Sequence, residues 1–373
     1  MYKDQLKKQV CAFLDSMAPE LNNISLFLHK YPELSSQEYE AAKLLTHSVK
    51  QKGFSVKTDI SGYPTAFVAS KGTTGPKIAF LAEYDALPGL GHACGHNLIA
   101  AMSFGAAIAF AEVAGESARS YLIGCPAEET TGAKVKLAED GVFSGLQAAL
   151  IIHPADGNYM GGTSYATHPL QVTFFGRPAH VASKTDKGIN ALDALVLFYQ
   201  GLKTLRQTFT QDTILAGIVT HGGTAPNIVP DRAEARFTVR ALSADYLENT
   251  VVPGVRRLAE GIASATGTTV QTLHYEPLFK ELKNDPQLLA FYQQNMSLLG
   301  EEVTLLGADD ADGSTDVGNV SHCVPTIHPD IAIGSGITAH TPEFALVAAS
   351  PYAQQRVLVG AKAMAMTAID LLE

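Results

Sequence analysis

Residues Ile78 to Leu98 read IAFLAEYDALPGLGHACGHNL, and the fold follows from how that run divides. Its first five residues, Ile78 to Ala82, are apolar on both faces, as a parallel strand buried under helices must be. A helical pattern starts near Asn97. Its apolar part, Leu98 to Ala114, contains Ser103, Gly105 and Glu112 and reads as a buried helix rather than a membrane span. Two more short apolar runs follow, Tyr121 to Gly124 and Ala149 to Ile152. Short buried strands alternating with helices make an α/β layer structure.

In an open parallel sheet the loops beyond the carboxyl ends of the strands converge, so reactive groups gather there. After Ala82 come Glu83, Asp85 and the string Gly91 to His96; after Gly124 come Glu128 and Glu129; after Ile152 comes His153. A thiol, imidazoles and carboxylates brought together from three loops form a mixed donor set that suits zinc and tolerates manganese or cobalt. The topology therefore predicts a metal site. Taken singly, each residue has an ordinary reading: Cys94 as a small buried hydrophobe, His153 as a solvent-capped strand end, Glu128 and Glu129 as a helix-capping pair. Together they argue otherwise. Cys94 and His96 stand two apart at a helix start, between glycines that let the backbone turn tightly. Adjacent carboxylates repel, and a metal relieves one while leaving the other to carry protons.

Two other chemistries fit less well. Gly89, Gly91 and Gly95 miss the dinucleotide-binding spacing because the third glycine comes one position late, and no G-x-S-x-G elbow occurs. A cysteine hydrolase is the main rival, with Cys94 as nucleophile at a helix N-terminus beside His96 or His153.

Elsewhere, Glu20 to Lys52 looks helical, interrupted by Pro32 and closed by Gly53. Between Leu170 and His274 the order changes. A strand at Leu170 to Phe175, a helix at Ile189 to Leu205, strands at Thr213 to Thr220 and Arg232 to Arg240, a helix at Ala244 to Thr266 and a strand at Thr269 to His274 form a split βαβ arrangement. In Arg232 to Arg240, Ala233, Ala235, Phe237 and Val239 alternate with residues expected to face water, Glu234 among them. The plan is a catalytic domain of residues 1–168 and 280–373, interrupted by an inserted α+β domain of residues 169–279. After Pro277 come a helical pattern, an acid-rich loop from Asp309 to Asp316, the apolar run Ile331 to Ile333 ahead of His340, and a last helix rich in Ala and Leu.

At 373 residues the chain has room for two domains. Hydrophobic residues make up 46% and charged residues 17%, which excludes a disordered chain. A net charge of -10 disfavours nucleic acid as a partner. Four scattered cysteines (Cys11, Cys94, Cys125 and Cys323) and the lack of a signal-peptide core in Met1 to Val10 point to a reducing, cytoplasmic setting with no membrane association.

The strings AEYDALPGLGHACGHNL (Ala82 to Leu98), PAEETTGAK (Pro126 to Lys134), His153-Pro154, GRPAH ending at His180, and GGTAPNIVPD (Gly222 to Asp231) resemble the M20 metallopeptidase family. The similarity is greatest to its amidohydrolase branch, whose members hydrolyse aminobenzoyl-glutamate, indoleacetyl-amino acids and N-acyl amino acids. The resemblance implies a zinc-peptidase-like catalytic domain, with a largely parallel mixed sheet, and an inserted ferredoxin-like lid and dimerisation domain. It implies two divalent ions held by Cys94, His96, Glu129, His153 and His340, with Glu128 as general base and Asp85 orienting His96 or another ligand. His180 would steady the scissile carbonyl oxygen from the partner subunit of a homodimer, Asn227 would bind substrate and Arg240 its carboxylate. The substrate would be an N-acyl or aminobenzoyl amino acid or a dipeptide.

Asn97 and the pair Glu83-Tyr84 depart from the branch's common pattern. With GSTDVGNVSH (Gly313 to His322) they resemble a subgroup whose mammalian member cleaves dipeptides with basic residues. In that reading these departures bear on substrate preference, and His322 and His328 are either pocket residues or ordinary surface and supporting histidines.

Overall fold

A computed structural model of the protein describes residues 2–182 and 187–372. The chain divides into two units. The larger comprises Met1–Thr163, Leu282–Asp310 and Thr315–Glu373, and the smaller comprises Ser164–Glu281 and Ala311–Ser314.

The larger unit is built on a six-stranded sheet in the order Ser55–Ile60, Tyr63–Lys71, Arg119–Gly124, Lys77–Ala82, Ala148–Leu150, Thr326–Ile327. The last four strands run parallel to one another, and the first two add antiparallel pairs at one edge. Residues Ile78 to Ala82 have no exposed surface, which is why that run carries no polar side chain. Covering the sheet is the helix His96–Ala114, buried at 17 of its 19 positions and packed between helices Tyr2–Lys30 and Pro351–Asp370. Its apolar length packs into this core. At Gly105 an added Cβ would come within 2.9 Å of Leu21, so the glycine permits close helix–helix approach.

The first helix begins at Tyr2, far upstream of the expected start at Glu20, and runs through Pro19. Its lysines and glutamines hide a stripe of Leu6, Val10, Leu14, Met17, Leu21, Ile24 and Leu28, all buried at three- and four-residue spacing. The chain breaks around Pro32 and resumes as helix Tyr39–Gln51. The stretch from Asp309 is not all loop: strand Thr304–Ala311 extends into it and pairs with Tyr159–Thr163.

The smaller unit is an antiparallel sheet in the order Thr269–His274, Ala166–Phe175, Arg232–Ala241, Ile214–His221, with helices Ala191–Arg206 and Val252–Thr266 packed on it. Leu170, Val172, Phe174, Ala233, Ala235, Phe237 and Val239 share one core with Leu195, Phe198, Val255 and Ala259. Glu234 departs from the expected alternation. It is 7% exposed, because its carboxylate accepts from Thr220 Oγ1 at 2.7 Å and Gln171 Nε2 at 3.0 Å and pairs with Arg232. The unit also reaches beyond residues 169–279. Tyr165 N donates to the Gly313 carbonyl at 3.0 Å and Thr167 bonds Ser314 through its hydroxyl, which draws Ala311–Ser314 into it.

Candidate metal centre

His96 is the first residue of the buried helix. The preceding Gly95 has φ +77°, and a Cβ there would fall 2.4 Å from Pro154 Cγ, so glycine alone fits between the two candidate ligands Cys94 and His96. Asp85, beyond the carboxyl end of strand Lys77–Ala82, accepts from His96 Nδ1 at 2.9 Å on one oxygen. Its other oxygen accepts from Glu129 N at 3.1 Å and Ser35 Oγ at 2.8 Å. Burial works to raise the Asp85 pKa, but His96 and these hydrogen bonds outweigh it and hold the carboxyl well below the usual range. With Nδ1 engaged by Asp85, His96 turns Nε2 toward Glu129, whose Oε1 lies 3.9 Å away.

The sequence-predicted ligands converge. His153 gives its Nδ1 proton to the Pro154 carbonyl at 2.9 Å and brings Nε2 to 3.4 Å from Cys94 Sγ. Burial first, then His328 and His96, push the His153 pKa down to about 3, so its ring is a neutral donor. His340, at φ +64°, is anchored by its backbone N–H on the Ala93 carbonyl at 2.9 Å. Its Nε2 lies 3.4 Å from Glu129 Oε1, and its side chain is 54% exposed, so the centre opens to solvent on that side. Cys94, His96 and His153 form one set of donor atoms within 4.8 Å of each other; Cys94, Glu129 and His340 form a second, and His96, Glu128 and Glu129 a third.

Two buried atoms test whether a cation belongs here. His96 Nε2 and Glu129 Oε1 lie 3.9 Å apart, and neither has a hydrogen-bond partner among the described residues. Leaving both unsatisfied is costly, and both are ordinary ligand atoms for a divalent ion. The donor set fits the metal. It fits a free thiolate poorly, because burial pushes the Cys94 thiol up to about 12 in spite of His96.

The residues that depart from the common pattern have other tasks. Tyr84 donates to the Thr65 carbonyl at 2.6 Å, and Asn97 donates to Ser25 Oγ at 3.0 Å and the Ala348 carbonyl at 3.3 Å, all in packed protein. Tyr84 and Asn97 are thus both bonded within the core. Glu83 pairs with Lys134, the last residue of the Pro126 to Lys134 string. Lys134 has no exposed surface, and its Nζ lies 2.6 Å from Glu83 and 2.5 Å from Asp316. Asp316 also accepts from Lys134 N at 3.0 Å. Glu83 Oε2 comes within 3.5 Å of His96 Nε2. The ring of His328 stands edge-on to His153 at 5.6 Å, whereas His322 follows the short helix Val317–Ser321.

Within the smaller unit, His180 and Asn227 are neighbours. His180 bridges to Ile228, Val181 N donates to the Asn227 carbonyl at 3.1 Å, and both side chains are exposed. Arg240 lies toward the other end of strand Arg232–Ala241, with Nε on Thr238 Oγ1 at 3.2 Å.

Residues 169–252 match the family model for a peptidase dimerisation domain. A Mus musculus protein named Xaa-Arg dipeptidase is 35% identical over 98% of this chain and 89% of its own length. A protein of Escherichia coli (strain K12) that forms part of its p-aminobenzoyl-glutamate hydrolase is 29% identical over 91% of this chain and 86% of that one. Among solved structures, a Bacillus subtilis protein described as a dinuclear metal binding peptidase of the M20 family shares the fold, with a TM-score of 0.75 at 22% identity over 96% of this chain and 99% of that one. Identity of this extent along nearly the whole chain leaves one conclusion: the chain belongs to the M20 family of metallopeptidases.

Proposed function

We propose that this M20 hydrolase cleaves the amide bond of a dipeptide bearing a basic residue, using two divalent ions. Support for the dipeptide comes from the relative named Xaa-Arg dipeptidase, which is more similar to this chain than the aminobenzoyl-glutamate hydrolase is. N-acyl and aminobenzoyl amino acids are the second reading, favoured by that hydrolase. The carrying observation is the pair of donor sets that share Cys94, with His96 Nε2 and Glu129 Oε1 buried and without a hydrogen-bond partner among the described residues.

Cys94, His96 and His153 would hold one ion, and Cys94, Glu129 and His340 the other. Bound there, zinc or manganese, or cobalt in their place, supplies Lewis acidity toward the amide carbonyl and lowers the pKa of water. Glu128 is the proton carrier. Burial, then the neighbouring Glu83 and Asp316 charges, raise its proton affinity well above that of an ordinary carboxylate. Such a group takes a proton from the attacking water and returns it to the departing amine. His180 donates to the carbonyl oxygen as charge develops on it, and Asn227 beside it holds the substrate.

The reading includes a homodimer in which His180 acts in the partner's site. Strand Ile214–His221 is an edge of its sheet and exposes Ile214, Ile218 and Val219, while helix Ala191–Arg206 exposes Val196 and Leu197. A long apolar edge strand is a ready template for pairing with a second chain.

The test is a hydrolysis screen of Xaa-Arg dipeptides and N-acyl amino acids, with metal content measured on the same sample before and after chelation. Chelator should abolish turnover, and added zinc or manganese should restore it. Activity indifferent to chelator but lost on thiol alkylation would instead support the cysteine hydrolase.

A further inference from the structure

The turn that carries Glu128 and Glu129 starts at Ala127, whose φ of +58° is unfavourable for an L-residue with a side chain. Such conformations persist only where the surroundings over-determine them. Glu38, just before helix Tyr39–Gln51, supplies the restraint. It has no exposed surface, and its Oε1 accepts from Ala127 N at 2.8 Å and from Ser36 N, another left-handed residue at φ +66°, also at 2.8 Å. Its Oε2 accepts from Thr65 Oγ1 at 3.0 Å. Thr65 in turn receives on its carbonyl the hydroxyl of Tyr84, which lies between Glu83 and Asp85 in the loop leading to the ligands.

We propose that Glu38 is a positioning residue: through the Ala127 amide it holds the left-handed turn in the conformation that aims Glu129 at the ligand set and sets Glu128 beside it. Glu38 is absent from all three donor sets, so it acts through the turn. A buried carboxylate is expensive to keep, and burial followed by the Asp85 charge pushes this one up to about 7. Reach, rather than charge, is what the geometry requires. A glutamine keeps it: its oxygen accepts from both amides while its amide nitrogen donates to Thr65 Oγ1, reversing that hydroxyl's role. An aspartate keeps the charge but falls one methylene short.

This inference deepens the proposed function and rests on it for its catalytic consequence. The experiment compares wild type, Glu38→Gln and Glu38→Asp in the full chain by three readouts: affinity for zinc by chelator competition, kcat and KM separately, and hydrogen exchange at the Ala127 amide. Glu38→Gln is expected within about threefold of wild type throughout. Glu38→Asp is expected to lose roughly 10- to 100-fold in zinc affinity and in kcat, the range for residues that support ligands, with KM little changed and the Ala127 amide exchanging at least tenfold faster. Wild-type affinity and exchange in Glu38→Asp, or losses in Glu38→Gln equal to those of Glu38→Asp, would overturn the proposal. The exchange readout needs no metal. A wild type that binds no zinc therefore sinks the proposed function, while exchange at Ala127 still decides the role of Glu38.

Discussion

Asp85 Oδ1 accepts the Nδ1 proton of His96 at 2.9 Å, and that bond settles which nitrogen of His96 is left for a cation. The other Asp85 oxygen bonds the backbone of Glu129, so one carboxylate braces a candidate ligand from each of the two donor sets that share Cys94. Replacing it should loosen both. Asp85→Ala is expected to weaken zinc binding roughly 10- to 100-fold, read by competition with a chromophoric chelator. Unchanged affinity would mean that the His96 ring is held by packing alone.

Glu128 contributes a proton path rather than a coordination bond in the proposed mechanism. Glu128→Gln preserves its shape and removes its basicity. Turnover should fall by about 10²- to 10⁴-fold while the protein retains its full complement of metal, measured by elemental analysis on the assayed sample. Loss of metal together with activity would reassign Glu128 as a ligand.

The smaller unit carries an acid-sensitive element far from this chemistry in sequence. His168 is 3% exposed, its ring centroid lies 4.1 Å from that of His274, and neither of its nitrogens has a hydrogen-bond partner among the described residues. Burial, then His274 and Arg256, push its pKa down to about 3. The unfolded chain takes up this proton near pH 6.5, whereas the folded chain refuses it until about 3. Stability is therefore full above pH 6.5 and falls as pH drops through that window, by at most about 1.4 kcal/mol per pH unit. In His168→Leu the decline in thermal midpoint between pH 6.5 and 4 should be shallower than in wild type. Parallel curves would exclude His168 as its source.

Association through the exposed edge strand is equally open to test. Ile218 is 67% exposed on strand Ile214–His221, and Ile218→Lys places a charge where a second strand would pair. Sedimentation should show the dimer shifting toward monomer, with kcat falling alongside it if His180 acts across the interface. A dimer of unchanged stability would place the interface elsewhere.

Much of the architecture was legible in the chain itself. Buried parallel strands need two apolar faces, so Ile78 to Ala82 announces itself; strand Arg232–Ala241 does so by alternation, apart from Glu234. The ligand-type residues were legible because the topology sends strand ends to one place. Partnerships created by long-range folding were harder to see. Glu38 and Ala127 are 89 residues apart, and Lys134 and Asp316 are 182 apart. No periodicity links either pair, and only the folded chain brings them together. The first helix gives little signal upstream of Glu20 for a different reason: its buried stripe is diluted by lysine and glutamine.

The helix that begins at His96 is almost wholly enclosed. A ligand placed at the head of such a rod inherits the stillness of the protein's interior, and it cannot wander unless the interior itself melts. Heating should therefore leave His96 in place until the larger unit unfolds.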